Sequence, residues 1–225
     1  MTAPALVAAL LAALSVLAGC GGDPAPDAGA QGGDRKVTVA GDSVSVGLGS
    51  QLRDVVPDGT TVKVIGEVGT GLARPDRFDW PARLRTLARE FPPTVLVFSV
   101  GSNDHQALTD ASGQVVVTRD DPGWDEEYAR RLAEVFDAFE GTDTTVVWVG
   151  HVRTEDPDVG GTNREIHRLA TEVAADRPWV EVADLGELLG TGEEEATDCL
   201  VPDGLHLTVE CLQRADRGLL PVLAD

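Results

Sequence analysis

Aromatic side chains are scarce in this chain: four Trp, five Phe and one Tyr make up 4% of 225 residues. So few rings offer no obvious stacking platform for sugars. Basic residues are scarce too, with 18 Lys and Arg against 38 Asp and Glu and a net charge of −20. The pI is near 4.4. Such a surface repels phosphate backbones and anionic headgroups, which argues against nucleic acid or an anionic lipid surface as a partner. Past the N-terminus there is no 20-residue apolar run, so no internal membrane span is expected. No internal repeat is visible. The three cysteines do not stand at the spacing of a zinc site.

The apolar content of 42% is ordinary, and the length suits one domain, or one domain with a tail. Residues 3–19 form a short apolar run ending in Leu17-Ala18-Gly19-Cys20. This resembles a bacterial lipoprotein signal, in which Cys20 is lipidated and becomes the mature N-terminus. One departure is that no Lys or Arg precedes the run; a plain secretory signal or a hydrophobic tether is the alternative. Each reading places the remainder outside the cytoplasm. The following segment, GGDPAPDAGAQGG at 21–33, has no apolar period and reads as a flexible linker. The organisation expected is a signal at 1–19, a tether at 20–35 and a domain at 36–225. With Cys20 taken by lipid, Cys199 and Cys211 remain as an even pair in an oxidising compartment, and a disulfide between them would close a small loop around Asp203 and His206.

From Lys36 onward, short valine-rich runs alternate with helical periods. Val37–Ala40, Thr61–Ile65, Thr94–Val100, Thr144–Val149 and Trp179–Val182 read as buried parallel strands. Trp80–Phe91, Asp125–Phe139, Asn163–Ala175 and Thr208–Leu223 carry apolar residues at helical spacing. Five strands with crossover helices imply an α/β fold, a three-layer α/β/α sandwich around a five-stranded, parallel, doubly wound sheet. Sites in such sheets gather at the carboxyl ends of the strands. Four polar clusters fall there: Gly41-Asp42-Ser43, the glycine-rich turn Gly66–Gly71, Gly101-Ser102-Asn103-Asp104, and Pro202-Asp203-Gly204-Leu205-His206.

Over about Lys36 to Leu223 these motifs resemble the SGNH (GDSL-type) hydrolases. The signature letters fall on Ser43 in GDS, Gly71 after the second strand, Asn103 in GSND and His206 in DGLH. The stretch Thr70–Pro75, continuing to Phe78-Asp79-Trp80-Pro81, is similar to the extracytoplasmic bacterial branch known as DUF459. The resemblance implies a flavodoxin-like sheet and metal-free, cofactor-free acyl transfer. Ser43 would attack an ester carbonyl and His206 would take its proton. Asp203, three residues before His206, is placed to hold the other imidazole nitrogen. The resemblance assigns the oxyanion hole to the Ser43 N–H, the Gly71 N–H and the Asn103 amide.

The neighbours of these residues have plainer readings. Asp42 is expected to order the turn rather than react. His105 and Arg74 are possible substrate contacts, His151 could line the rim, and His167 should be solvated on a polar helix face. The Glu193–Glu195 run reads as a solvated loop. The function implied is a membrane-tethered, extracytoplasmic serine esterase acting on O-acyl groups, with O-acetyl esters of wall or surface glycans as the expected substrates and a monomer as the expected state. A lipase or thioesterase, an acyltransferase on the same triad, or a non-catalytic binding lipoprotein are the alternatives.

Overall fold

The computed structural model describes residues 35–151, 154–190 and 196–224. The signal, Cys20, the linker up to residue 34 and the Glu193–Glu195 run lie outside the described residues.

Strand β1 (Arg35–Gly41) begins one residue before the expected domain start and leads into α1 (Ser43–Leu52), β2 (Thr60–Gly66), α2 (Trp80–Glu90) and β3 (Val95–Ser99). A short antiparallel pair, β4 (Leu108–Thr109) and β5 (Val115–Val117), precedes α3 (Trp124–Asp137), β6 (Thr145–Gly150) and α4 (Pro157–Ala174). The chain then forms β7 (Val180–Asp184), α5 (Leu185–Leu189), a 3₁₀ turn (Ala196–Cys199) and α6 (Val209–Ala224). The main sheet has five parallel strands in the order β2-β1-β3-β6-β7. This is the doubly wound α/β/α arrangement read from the alternating pattern, with each expected strand in place.

Three elements were not expected. Strands β4 and β5 are two and three residues long, too short to show a period. Helix α5 follows β7 directly, started by Asp184, whose carboxylate accepts the Glu187 N–H at 3.1 Å. Helix α4 begins at Pro157, ahead of the expected Asn163. Its cap is Asp156, whose carboxylate accepts the N–H groups of Asp158 and Val159, and proline suits the first helical position. Its apolar stripe becomes dense only near Ile166, so the first turns gave no signal.

Alternation along the strands separates two cores. Ala40, Leu96, Phe98, Val146 and Trp148 face the layer of α2, α3 and α4. Val37, Val39, Val95, Val97, Val147 and Val149 face the layer of α1, α5 and α6. Every aromatic residue except the exposed Phe91 belongs to the first layer. There the rings of Trp80, Phe98, Trp148 and Phe136 form a chain of edge contacts with centroids 5.3, 5.7 and 6.0 Å apart. Such contacts contribute about 0.5–1.5 kcal/mol each beyond burial. The second layer is valine and leucine only at its centre, which lets α1 lie close to β1 and β2.

One acid is misplaced in that second layer. Asp216 on α6 is fully buried, and neither carboxylate oxygen has a hydrogen-bond partner among the described residues. Burial pushes its carboxyl from 3.8 up to about 8. The folded state therefore holds a proton that the unfolded chain releases above pH 4, and stability falls as pH rises from about 4 to 8. Asp216→Asn should raise stability by about 1–3 kcal/mol at pH 8 and by little near pH 4. Urea midpoints of both proteins at the two pH values check this; an equal difference at both would refute it.

Candidate active site

The register Gly41↔Gly66 and Gly41↔Ser99 brings the carboxyl ends of β1, β2 and β3 level. At Gly41 the chain turns under the sheet edge with φ 136°, and a Cβ there would lie 1.9 Å from the Ser99 carbonyl oxygen. Only glycine passes this point. The Asp42 N–H then bonds to the Ser99 carbonyl at 3.2 Å, and the Asp42 carboxylate caps α1 by accepting the Val44 N–H at 3.0 Å. Ser43 thus occupies the first turn of α1, where its N–H has no intrahelical acceptor and the helix favours negative charge. Asp42 orders the turn, as expected of it.

Opposite Ser43 stands a small hairpin. Cys199 and Cys211 form a disulfide with a Cα separation of 5.6 Å. Inside it, the Val201 N–H bonds to the His206 carbonyl at 2.8 Å, and the Thr208 N–H to the Cys199 carbonyl at 2.8 Å. Asp203 organises the tip. Its Oδ1 accepts the N–H groups of Leu205 and His206, both at 2.9 Å, and its Oδ2 lies 2.8 Å from His206 Nδ1. These hydrogen bonds hold the Asp203 carboxyl down at about 2. An ionised Asp203 only accepts, so Nδ1 carries the imidazole proton and Nε2 presents its lone pair. That lone pair meets Ser43 Oγ at 2.7 Å, across 163 residues of sequence. Ser43, His206 and Asp203 are brought together as a relay, and the side chains of His206 and Asp203 remain 39% and 49% exposed.

Asn103 and Gly71 reach the same rim. The Asn103 amide nitrogen lies 3.0 Å from the Thr70 carbonyl oxygen and 3.3 Å from Asp42 Oδ2, so both its N–H bonds face protein oxygens. The Thr70 carbonyl and the Gly71 N–H belong to one trans peptide and point in opposite directions. In this conformation the Gly71 N–H is therefore turned away from the Asn103 amide.

Beneath Ser43 lies a buried polar group that sequence reasoning missed. The Asn163 amide donates to Ser102 Oγ at 3.1 Å, and Ser102 Oγ donates in turn to His151 Nδ1 at 2.6 Å. His151 therefore carries its proton on Nε2, which faces Asp42 Oδ1 at 3.8 Å. Burial pushes His151 down to about 4, so the ring is neutral at pH 7. Burial also raises the Asp42 carboxyl to about 7 against the N–H groups it accepts. His151 is thus buried next to Asp42 rather than lining the rim, and its Nε2 has no hydrogen-bond partner among the described residues. Its position after β6 was visible in the sequence; its depth was not.

The remaining residues divide. His105 is exposed and donates from Nδ1 to the Ser102 carbonyl at 3.0 Å. It borders a polar cleft of about 750 Å³ with Arg119, Asp121, Asp158 and Thr162. Arg74 is forked onto Asp76 at 2.8 and 2.7 Å, and Asp76 also accepts the Thr109 hydroxyl, so the guanidinium is held locally. His167 departs from its expected solvation: it is half-buried, with Nδ1 enclosed against Gly150, because α4 lies close to the end of β6. Among the described residues, no group of three or more His, Cys, Asp or Glu side chains is placed to hold a metal ion.

The family model described as "Protein of unknown function (DUF459)" matches residues 36–208. No curated protein matches the chain. Solved structures do, at low identity. A carbohydrate acetylesterase family member from Sinorhizobium meliloti is 17% identical with a TM-score of 0.57, covering 84% of this chain and 97% of its own. A member of the lipolytic G-D-S-L family from Veillonella parvula is 14% identical with a TM-score of 0.61, at 84% and 98% coverage. The aryl esterase of M. smegmatis is 14% identical with a TM-score of 0.56, also at 84% and 98%. The likeness is one of fold, the doubly wound α/β/α sandwich.

The Cys199–Cys211 bridge closes a loop with a separation of 12 residues. Replacing both cysteines with serine should cost about 2–5 kcal/mol of stability. Denaturant unfolding of the oxidised wild type and the double variant reads this directly, and equal midpoints would show that the bridge adds nothing to the hairpin.

Proposed function

This chain belongs to the family described as "Protein of unknown function (DUF459)", and from the Ser43–His206–Asp203 relay we propose a serine esterase that cleaves O-acyl esters through an acyl-enzyme. The observation that carries this reading is the 2.7 Å contact between Ser43 Oγ and a His206 whose other nitrogen is held by an ionised carboxylate. A serine that merely caps a helix has no need of an oriented imidazole.

The reaction follows from the proton positions. Ser43 Oγ bonds to the ester carbonyl carbon as its proton passes to His206 Nε2, and Asp203 stabilises the resulting imidazolium through Nδ1. The carbonyl oxygen becomes an oxyanion beside the free Ser43 N–H. It takes the place of the Thr70 carbonyl on the Asn103 amide as the Thr70–Gly71 peptide turns its N–H inward. Each such donor contributes about 10²–10³ in rate. Collapse breaks the bond to the leaving oxygen, which receives the proton from His206. Water then adds to acyl-Ser43 by the same path in reverse and releases the acid.

The acyl group in this reading is acetyl, carried on a glycan; the carbohydrate acetylesterase among the structures of this fold supports that choice. The exposed Asp203–His206 edge suits an acyl group borne on a large substrate. We place the enzyme outside the cytoplasm, tethered through Cys20. Its disulfide supports an oxidising compartment, and the apolar run before Cys20 supports export.

Hydrolysis of 4-nitrophenyl acetate by the full chain, beside Ser43→Ala and Asp203→Asn, tests the activity. Both variants should lose at least about 10⁴-fold in kcat. A fluorophosphonate should label Ser43 alone, as read by mass spectrometry of the peptide. A folded wild type with neither turnover nor label would overturn the esterase in favour of a binding protein.

A further inference from the structure

The turn that carries Gly71 is gripped from two sides by buried charge, and the triad uses none of it. On one side stands Asp104, fully buried. Its Oδ2 accepts the Leu72 N–H at 2.9 Å and the Tyr128 hydroxyl at 2.7 Å, and its Oδ1 accepts the Ala73 N–H at 2.8 Å. On the other side Arg131, 5% exposed, donates from Nη1 to the Leu72 and Ala73 carbonyls at 2.7 and 3.2 Å and from Nη2 to the Thr109 carbonyl at 2.7 Å. Its Nε is paired with Glu127 at 2.8 Å. Leu72 and Ala73 thus have N–H and C=O groups held by opposite charges, and both anchors Tyr128 and Arg131 come from α3.

Asp104 is also bonded in chain to Asn103, and its own N–H is tied to the Gly101 carbonyl at 2.7 Å. One residue therefore joins the two halves of the rim: the Asn103 amide by covalent connection and the Gly71 turn by its carboxylate. The fit at Gly71 is tight. A Cβ there would lie 2.1 Å from Asp104 Oδ1, so glycine is required by the carboxylate that lies against it.

We propose that Asp104, braced by Tyr128, is a positioning residue of the oxyanion hole, setting the separation between the Asn103 amide and the Thr70–Gly71 peptide. A carboxyl group is suited to this work because its two oxygens accept from two successive N–H groups and a hydroxyl at once, bonds that favour the ionised form against the burial that raises its pKa. Asparagine cannot replace it: one of its two oxygens becomes an NH₂ that opposes a backbone N–H. The role rests on the esterase reading above, since it acts on the transition state through Gly71 and Asn103 and touches no substrate.

The test uses the full chain with Asp104→Asn and Tyr128→Phe. Phenylalanine keeps the ring stacked on Trp124, whose centroid is 4.7 Å away, and removes only the hydroxyl. With 4-nitrophenyl acetate, Asp104→Asn should lower kcat by about 10²-fold, the effect of losing one oxyanion donor, with KM within threefold. Tyr128→Phe should lower it by about tenfold. The rate of fluorophosphonate inactivation should fall in parallel, because that adduct is tetrahedral. In ¹⁵N NMR spectra, the Gly71 N–H and the Asn103 side-chain NH₂ signals should shift in both variants. If Asp104→Asn fails to fold, Tyr128→Phe decides. Variants that melt as the wild type does and keep kcat within twofold would overturn the proposal. An inactive, unlabelled wild type would sink the esterase reading instead, and unmoved Gly71 and Asn103 signals would then sink the positioning role separately.

Discussion

Parallel pairing makes the carboxyl ends of β1, β2, β3, β6 and β7 share one edge, where the chain must leave the sheet. In this protein the departures are steep. After β1 the backbone passes within Cβ distance of the Ser99 carbonyl, and the Asp42 N–H bonds to that oxygen. The same level register places Gly66 and the turn to Gly71 on one flank and Ser99 to Asp104 on the other. Asp42, Thr70 and Asn103 meet because three strands end together.

That edge is built around buried carboxyl groups, a costly choice that the donors around them offset only in part, since burial still raises both Asp42 and Asp104. Asp42 accepts from Val44 and Asn103, and Asp104 from Leu72, Ala73 and Tyr128. An isolated buried carboxylate would protonate or unfold its surroundings. Asp216, which accepts no hydrogen bond among the described residues, has its carboxyl driven up to about 8, and Asp42 with its donors is still raised to about 7, so directional bonds relieve only part of the burial. The directional bonds to Asp104 fix Leu72 and Ala73 and leave the Thr70–Gly71 peptide just ahead of them to turn.

The other half of the site is built differently. Asp203 and His206 stand on an exposed hairpin with little core of its own, closed by the Cys199–Cys211 bridge and by short backbone bonds. Hydrophobic packing cannot orient an imidazole there, so covalent closure and the Asp203 carboxylate do it. A deep, polar nucleophile side thus faces an open, stapled base side.

Much of this was legible in residue patterns. The five valine-rich runs and the helical periods of α2, α3 and α6 mark their elements to within a residue or two; burial on both sheet faces leaves few other sequences possible for β1, β3 and β6, while the edge strands β2 and β7 are half-exposed. Asp203 and His206 are close in sequence and share one turn, so their pairing follows from local geometry. Helix α4 is legible only in part and the pair β4–β5 not at all, since capping and strands of two and three residues leave no period. What the chain alone determined is the order of strands and helices, the short-range caps and turns, and the chemical types available at each strand end. What tertiary structure alone decided is which of those types meet: His206 with Ser43, His151 beneath Asp42, and Arg131 and Tyr128 around the Gly71 turn. Arg131 sits on the apolar face of α3, beside Tyr128, Leu132 and Val135, a position that signals burial but names no partner. Hydrogen bonds reach only about 3 Å, so contacts between residues far apart in sequence follow from packing, and no local pattern encodes them.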